Sequence, residues 1–436
     1  MMPPRLRIAL APTANPTVNA ARVALANALF AHRHGGTLTL RLDDLRADRV
    51  RPAFVDAIHH DLAWCGITWD AEHPLSDRLG ACEAAITHLR ATGRLYPCLE
   101  SEAELKAKSE RRRRQGKADV YDRAMLALTP DQLAAAIANG KRPHWRFRLS
   151  PGERQWHDPV LGPRSAKLTA LSDPILVRED GGLAPVLVHT IDDLALGITH
   201  LIRGEENVAD TATMLEIWQA LDPAAAMPVV ASIPALRDAD ARLGQRPVRE
   251  PRADGVLPDA LAAWMAGRTT PLPPIADAGA AAWIAALADG FDWRAWRTPP
   301  DAAGLLRLNR AALAAQPFEA VADRLPAGAH APFWLAIRGG IDMLRDADHW
   351  WDVVAGDIIP DIDADAAPAL RQALAALPAS PWDNGTWDLW TTGMAPADRA
   401  GLYRALMGEE DGPEPASLLP LIGRERVIRR LTAVLA

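Results

Sequence analysis

The sequence predicts an α/β half followed by an all-helical half. Three observations carry that expectation. Residues 7–44 read strand, helix, strand; residues 173–206 form a second strand-like block with turns; and beyond about Ala231 only helix-patterned segments follow, separated by proline-rich turns. "RIALA" (7–11) is an apolar run of strand length. "VNAARVALANALFAHRH" (18–34) has apolar residues at helical spacing, with Asn19 placed to cap it and Gly35–Gly36 to stop it. "TLTLRLDD" (37–44) alternates, which marks a second strand, and a strand–helix–strand unit of this length implies a parallel pair. "RPAFVDAIHHDLAWCGI" (51–67) is the next amphipathic helix.

The character changes near Leu99. "ESEAELKAKSERRRRQGKADVYDRAM" (100–125) is a charged helical segment, and "PHWRFRLSPGERQWHDPVLGP" (143–163) is β-like with turn punctuation. Together they read as an insertion into the α/β core. The core resumes with "DPILVREDGGLAPVLVHTIDDLALGITHLIRGEE" (173–206), again strand-like with turns, and the helix "TATMLEIWQAL" (211–221). "LPDALAAWMA" (257–266), "DAAGLLRLNRAALAA" (301–315), "PFWLAIRGGIDMLRDADHWWDVVAG" (332–356), "AAPALRQALAAL" (366–377) and "GLYRALMG" (401–408) are helices, and no internal repeat is evident.

Bulk properties narrow the function classes. With 436 residues, 49% hydrophobic and 24% charged, the chain can form several cores. A net charge of −7 excludes wholesale coating of nucleic acid but permits a local basic groove. Cys65, Cys82 and Cys98 cannot build a disulfide framework, which fits a reducing cytoplasm. No apolar run approaches the roughly 20 residues of a membrane span, and the opening reads as a strand rather than a secretory signal. Fifteen tryptophans against six phenylalanines and three tyrosines point to tryptophan-rich packing in the helical half.

Five segments, in order, carry a resemblance. "RIALAPTANPTVNAAR" (7–22), "HGGTLTLRLDD" (34–44), "DDLALGITHLIRGEE" (192–206), "DGVLPDALAAWMA" (254–266) and "GPEPASLLPLIGRERVIRRL" (412–431) resemble glutamyl-tRNA synthetases of the discriminating bacterial type, class I aminoacyl-tRNA synthetases. The resemblance implies a Rossmann-type parallel-sheet catalytic domain split by an acceptor-stem insertion, then helical stem-contact and anticodon-binding-like domains. It implies nucleotide-binding core at 1–98 and 173–230, the insertion at 99–172, a stem-contact region at 231–315 and an anticodon-binding-like region at 316–436. It also implies a reaction: ATP, with magnesium, activates glutamate as an adenylate, and the acyl group passes to the 3′ end of tRNA.

The chain departs from the family at both phosphate-handling motifs. Where the family carries H-[IVL]-G-G, this chain reads Thr17-Val18-Asn19-Ala20: the imidazole donor is absent, and Asn19 puts a side chain where glycine admits the nucleotide. The mobile K-[ML]-S-K-[RS] loop becomes Arg242-Leu243-Gly244-Gln245-Arg246, with a neutral glutamine at the second lysine position and prolines at 247 and 251. No intact catalytic set remains by this reading. In the amino-acid pocket, Arg7 and Arg203 match the family's arginines, Asp43 replaces a glutamate that would hold the amino group, and Ala11 and Pro185 replace a serine and a tyrosine. Some members hold zinc with C-x-C…Y-x-x-x-C; here Cys98 is followed by Glu100 and by no later cysteine, so no structural zinc is expected. His59, His60 and His189 read as isolated core or surface histidines. The run "KAKSERRRRQGK" (106–117), with Arg111, Arg112, Arg113 and Arg114 at its centre, falls in the insertion and is a candidate tRNA contact, set against a plain solvated face.

Three functions stay open at this point: a glutamate–tRNA ligase with drifted motifs; a non-catalytic paralogue that binds tRNA, glutamate or a similar amino acid, or a true aminoacyl-tRNA synthetase; and a ligase or transferase that works on charged tRNA made elsewhere.

Overall fold

The computed structural model describes residues 2–236, 242–272, 280–358, 360, 362 and 364–436. They form two compact units. The first draws on Met1–Val248, Met265–Gly267 and Ala278–Pro299, the second on Arg249–Trp264, Arg268–Asp277 and Pro300–Ala436.

The first unit opens with β1 (Arg5–Leu10), α1 (Val18–Arg33), β2 (Thr37–Leu42), α2 (Pro52–Trp64) and β3 (Ala71–Pro74), and the three strands pair parallel in the order β1-β2-β3. Leu6, Ile8, Leu38, Leu40 and Leu42 are buried, as a sheet covered by helices requires. Thr17, not Asn19, caps α1: its hydroxyl accepts from the Ala20 amide, while Asn19 lies inside the first turn. The stop is as expected, with His34 as the last cap and Gly35 at φ +59°. Arg22 on α1 is buried and donates to the carbonyls of Met265, Pro234 and Trp296 at 2.9, 2.6 and 3.4 Å, tying three chain segments to that helix.

There follow α3 (Leu79–Ala91), β4 (Leu95–Cys98), α4 (Glu102–Arg114), α5 (Pro130–Ala138), β5 (His144–Phe147), β6 (Glu153–Asp158), β7 (Gly162–Lys167) and β8 (Ile175–Val177). Strands β4, β5 and β8 make a small antiparallel sheet, and β6–β7 is a hairpin. The charged segment is helical only to Arg114, where Gly116 at φ +65° turns the chain. The core then resumes with α6 (Pro185–Ala195), β9 (His200–Gly204), α7 (Thr211–Leu221) and β10 (Val229–Ile233), with β9 and β10 parallel. The Thr199 amide donates to the Arg5 carbonyl at 3.0 Å, which sets β9 beside β1.

Here the strand-like reading of 173–206 needs correction. Residues 185–195 are a helix, with Pro185 in its first turn and Leu187, Val188 and Ile191 buried at helical spacing. The β-branched residues of "VLVHTI" suggested a strand, but packing on one face decided the outcome.

The second unit contains α8 (Arg249–Asp254) and most of α9 (Pro258–Met265); α10 (Ala280–Asp289) belongs to the first. The second unit goes on through α11 (Ala302–Ala315), α12 (Ala331–Ile337), α13 (Asp346–Ala355), α14 (Ala367–Ala375), α15 (Thr386–Thr391), α16 (Pro396–Met407), α17 (Pro415–Ile422) and α18 (Arg424–Leu435). Segment 332–356, expected as one helix, breaks into α12 and α13 around Gly339–Gly340, where a Cβ on Gly340 would meet Pro413 at 2.6 Å. Trp334, Trp350, Trp387 and Trp390 are buried in this unit, consistent with tryptophan-rich packing. Among the described residues no helix is long and apolar enough to cross a membrane.

Candidate functional site

The turn after β1 and the segment 242–248 are held together. The Val18 amide, first in α1, donates to the Arg246 carbonyl at 3.0 Å, and the Val248 amide donates to the Pro16 carbonyl at 3.0 Å. Thr17 and Pro247 form an antiparallel bridge between these bonds. Asn19 seals the contact: its Oδ1 accepts from the Leu236 amide at 2.8 Å, and a Cβ on Gly244 would lie 2.6 Å from its Nδ2. Gly244 is thus the residue that lets the loop close over Asn19. It is buried, while Arg242 and Gln245 on either side are exposed and Arg246 is half-buried. A helix N-terminus attracts anions through amides left without partners. In α1 the Val18 amide is taken by Arg246 and the Ala20 amide by Thr17.

Beside this turn lies a cavity of about 390 Å³. Arg7, Asp43 and Arg203, the three candidate pocket residues, all line it, as do Ala20 and His189. The strand ends explain the convergence: Arg7 is on β1, Asp43 follows β2 and Arg203 is on β9, so parallel neighbours aim side chains into one crevice. Their partners differ. Arg7 Nε donates to Asp193 Oδ1 at 3.1 Å, and Arg41 Nη1 donates to Asp193 at 2.8 Å and to Asp192 at 3.0 Å. All four of these groups are buried. Burial alone would raise the Asp193 carboxyl, but the charges of Arg7 and Arg41 outweigh it and hold it below its ordinary value. Arg203 donates from Nη2 to Thr211 Oγ1 at 2.6 Å, while its buried Nε has no partner among the described residues. Burial, with the nearby charge of Arg7, lowers Arg203 to about 10. An incompletely satisfied guanidinium facing a cavity is a seat for a carboxylate.

His189 does not sit apart in the core or on the surface. It lines the cavity, and its Nε2 hydrogen-bonds Asp43 Oδ2 at 2.7 Å. Burial would raise Asp43, but that hydrogen bond, the charge of His189 and that of Arg41 together bring it below its ordinary value. Sequence reasoning missed this pair, and also the structural part played by Asp192 and Asp193. Residues 189 and 193 lie one turn apart on α6, a spacing that becomes readable only when the segment is taken as a helix. His59, by contrast, is an outer residue that pairs with Glu72 at 3.0 Å and stacks on Trp69.

In the insertion, the Cys98 thiol lies 3.5 Å from both Glu100 Oε2 and the Tyr121 hydroxyl, and Tyr121 donates to Glu100 at 2.6 Å. The Lys108 ammonium is ion-paired with Glu100, and with Asp122 at 3.1 Å. A side-chain cation therefore serves the acidic groups of this cluster. Lys108→Met would leave Glu100 buried with fewer donors, and a net loss of about 1–3 kcal/mol is expected. Urea unfolding of the variant checks this, and added zinc should raise the midpoint of neither protein. Within the basic run, Arg113 pairs with Asp119 at 2.7 Å, Arg114 with Glu110 at 3.6 Å, and Arg112 donates to the Ala118 carbonyl. Arg111 is exposed and has no ion pair among the described residues.

A parallel-stranded crevice, interrupted by an antiparallel insertion and followed by helices, defines a class I aminoacyl-tRNA synthetase architecture. Comparison agrees. The family model for "tRNA synthetases class I (E and Q), catalytic domain" matches residues 5–244. Glutamate–tRNA ligase 2 of Granulibacter bethesdensis is 46% identical, covering 98% of each chain, and that of Gluconacetobacter diazotrophicus is 45% identical, covering 98% of this chain and 99% of the other. The glutamate-tRNA synthetase structure from Elizabethkingia anophelis aligns over 100% of both chains with a TM-score of 0.78 at 19% identity, a likeness of fold. The chain belongs to the glutamyl-tRNA synthetase family.

Proposed function

We propose that this chain uses the glutamate–tRNA ligase scaffold to bind tRNA and a small carboxylate, glutamate or a similar amino acid, without forming the adenylate by the ordinary route. One observation carries the reading: the Arg246 carbonyl bonded to the Val18 amide, with Asn19 closed against Gly244. Adenylate formation needs donors that meet charge as pyrophosphate leaves. Here the first amide of α1 is spent on the loop, Thr17 stands in place of an imidazole, and Gln245 is neutral. These residues do not fit ATP with magnesium, and no chemical step is assigned to that pair. Arg203 would take the ligand's carboxylate, Arg7 stays held by Asp193, and Asp43 shares its charge with His189. The basic insertion is the proposed tRNA contact and the cytoplasm the proposed compartment; a true synthetase is a second candidate partner.

The similarity to glutamate–tRNA ligases 2 favours a second reading, an active glutamate–tRNA ligase. ATP–pyrophosphate exchange with glutamate, with and without tRNA, separates the two. Loss of one such donor costs about 10²–10³ in rate, so exchange at least about a hundredfold below that of an intact family member is expected. Exchange comparable with an intact enzyme would establish the ligase.

A further inference from the structure

Charge is distributed unevenly along this chain. Residues 99–172 contain 15 lysines and arginines against 9 aspartates and glutamates, and all five lysines of the protein lie between Lys106 and Lys167. Residues 300–436 contain 12 arginines, no lysine and 19 aspartates and glutamates. The whole net charge of −7 is thus equalled by the helical region alone.

The side chains sharpen the contrast. In the helical region at least ten of the twelve arginines are already engaged. Arg310 pairs with Asp342 at 2.8 Å, Arg399 with Asp388 at 2.8 Å and Arg429 with Asp357 at 3.3 Å. Arg404 pairs with Glu410. Arg426 and the buried Arg430 are spent on backbone carbonyls that end neighbouring helices. Acidic groups also gather here: burial and the charges of Asp411, Glu414 and Glu409, the last beside His349 at 3.4 Å, push the Tyr403 hydroxyl up to about 12. The insertion pairs several of its cations too, but leaves others over. Lys106, Arg111, Lys117, Lys141 and Arg142 are exposed and have no ion pair among the described residues. Lys141 lies near enough to Glu104 at the start of α4 for its charge to reach it, so the second basic cluster is close to the first.

RNA affinity comes mainly from cations that displace counterions at phosphates, and a surface of like sign repels them. We infer that the RNA footprint of this protein is confined to the acceptor arm, held by the lysine-bearing insertion, and that the acidic helical region neither contacts nor reads the anticodon end. The inference rests on the tRNA-binding reading above and narrows its ligand class: any RNA with a tRNA-like acceptor arm suffices.

The test uses the full chain and two labelled RNAs, a tRNA(Glu) transcript and the acceptor–TΨC minihelix of the same tRNA. Fluorescence anisotropy across a salt series should give dissociation constants within about threefold of each other and equal salt slopes. The triple variant Lys106→Ala, Arg111→Ala, Lys117→Ala should weaken both by about tenfold or more and flatten both slopes. These residues are exposed, so folding is preserved, and a circular dichroism spectrum checks it. Full-length tRNA binding more than about tenfold tighter, or with a steeper slope, overturns the confinement. Unchanged affinity in the triple variant overturns the assignment to the insertion. If neither RNA binds, the tRNA reading itself fails and takes this inference with it.

Discussion

Asp193→Asn should destabilise the first unit by about 3–5 kcal/mol, the range for removing one member of a buried ion pair. The carboxylate bonds Arg7 at 3.1 Å and Arg41 at 2.8 Å, and all three side chains are nearly inaccessible to water. An amide keeps the shape and removes the charge, so two guanidinium groups face each other with Asp192 bonded to Arg41 and the charge of Asp43 reaching it. Arg7 is already lowered by burial and by the charge of Arg41, opposed by Asp193; without that opposition it is disfavoured further. The pH dependence fixes the cause. Asp193 titrates below its ordinary value in the fold, so its contribution is fully present above the unfolded value of about 4 and is lost as pH falls through the folded value. Wild type and variant should therefore differ by a constant amount above about pH 5 and draw together only as pH falls below about 4 toward the folded value. Urea unfolding followed by circular dichroism at several pH values checks both points. Equal stability at pH 7 would mean the cluster is dispensable, as some buried pairs are when well replaced.

That cluster also marks where sequence reading ends. The alternation of apolar runs and turns revealed β1, α1, β2 and, in the second unit, α9, α11, α14 and α16, because periodicity reports one buried face and each of these elements has one. The pair Asp192–Asp193 stood in a quoted motif, yet its partners Arg7 and Arg41 lie 186 and 152 positions from Asp193. Only the parallel pairing of β1 and β2, with α6 packed nearby, brings them together. Asn19 illustrates a different limit. Its residue type suits a cap, but Thr17 has the extended backbone (φ −82°, ψ 163°) from which a hydroxyl reaches the third amide. Asn19, two positions later, is left to meet Gly244. His189 failed for want of a helix: read as a strand residue it pointed nowhere, and on α6 it faces Asp43. The three pocket residues Arg7, Asp43 and Arg203 were legible through the resemblance, but which of them has donors to spare was not.

The second large effect is a gain. In the triple variant Thr17→His, Asn19→Gly, Gln245→Lys, ATP–pyrophosphate exchange should rise by about 10² or more over the native chain, because the three sites act on one leaving group and their effects are not additive. Asn19→Gly is the step that must come first. It removes the acceptor for the Leu236 amide and the side chain that Gly244 rests on, and so loosens the loop from α1. Hydrogen exchange reads this directly: the Val18 and Val248 amides, bonded to Arg246 and Pro16, should be protected in the native chain and exchange faster in Asn19→Gly. The two measurements separate two obstacles. If Asn19→Gly frees the amides yet pyrophosphate exchange appears only once Thr17→His and Gln245→Lys are added, the loop blocks access and the missing donors block chemistry. If Asn19→Gly alone restored robust exchange, the absent imidazole and lysine would be irrelevant and occlusion would be the entire obstacle. If the amides stay protected in Asn19→Gly, the loop is held by its backbone bridge at Thr17 and Pro247, and the asparagine is not the latch.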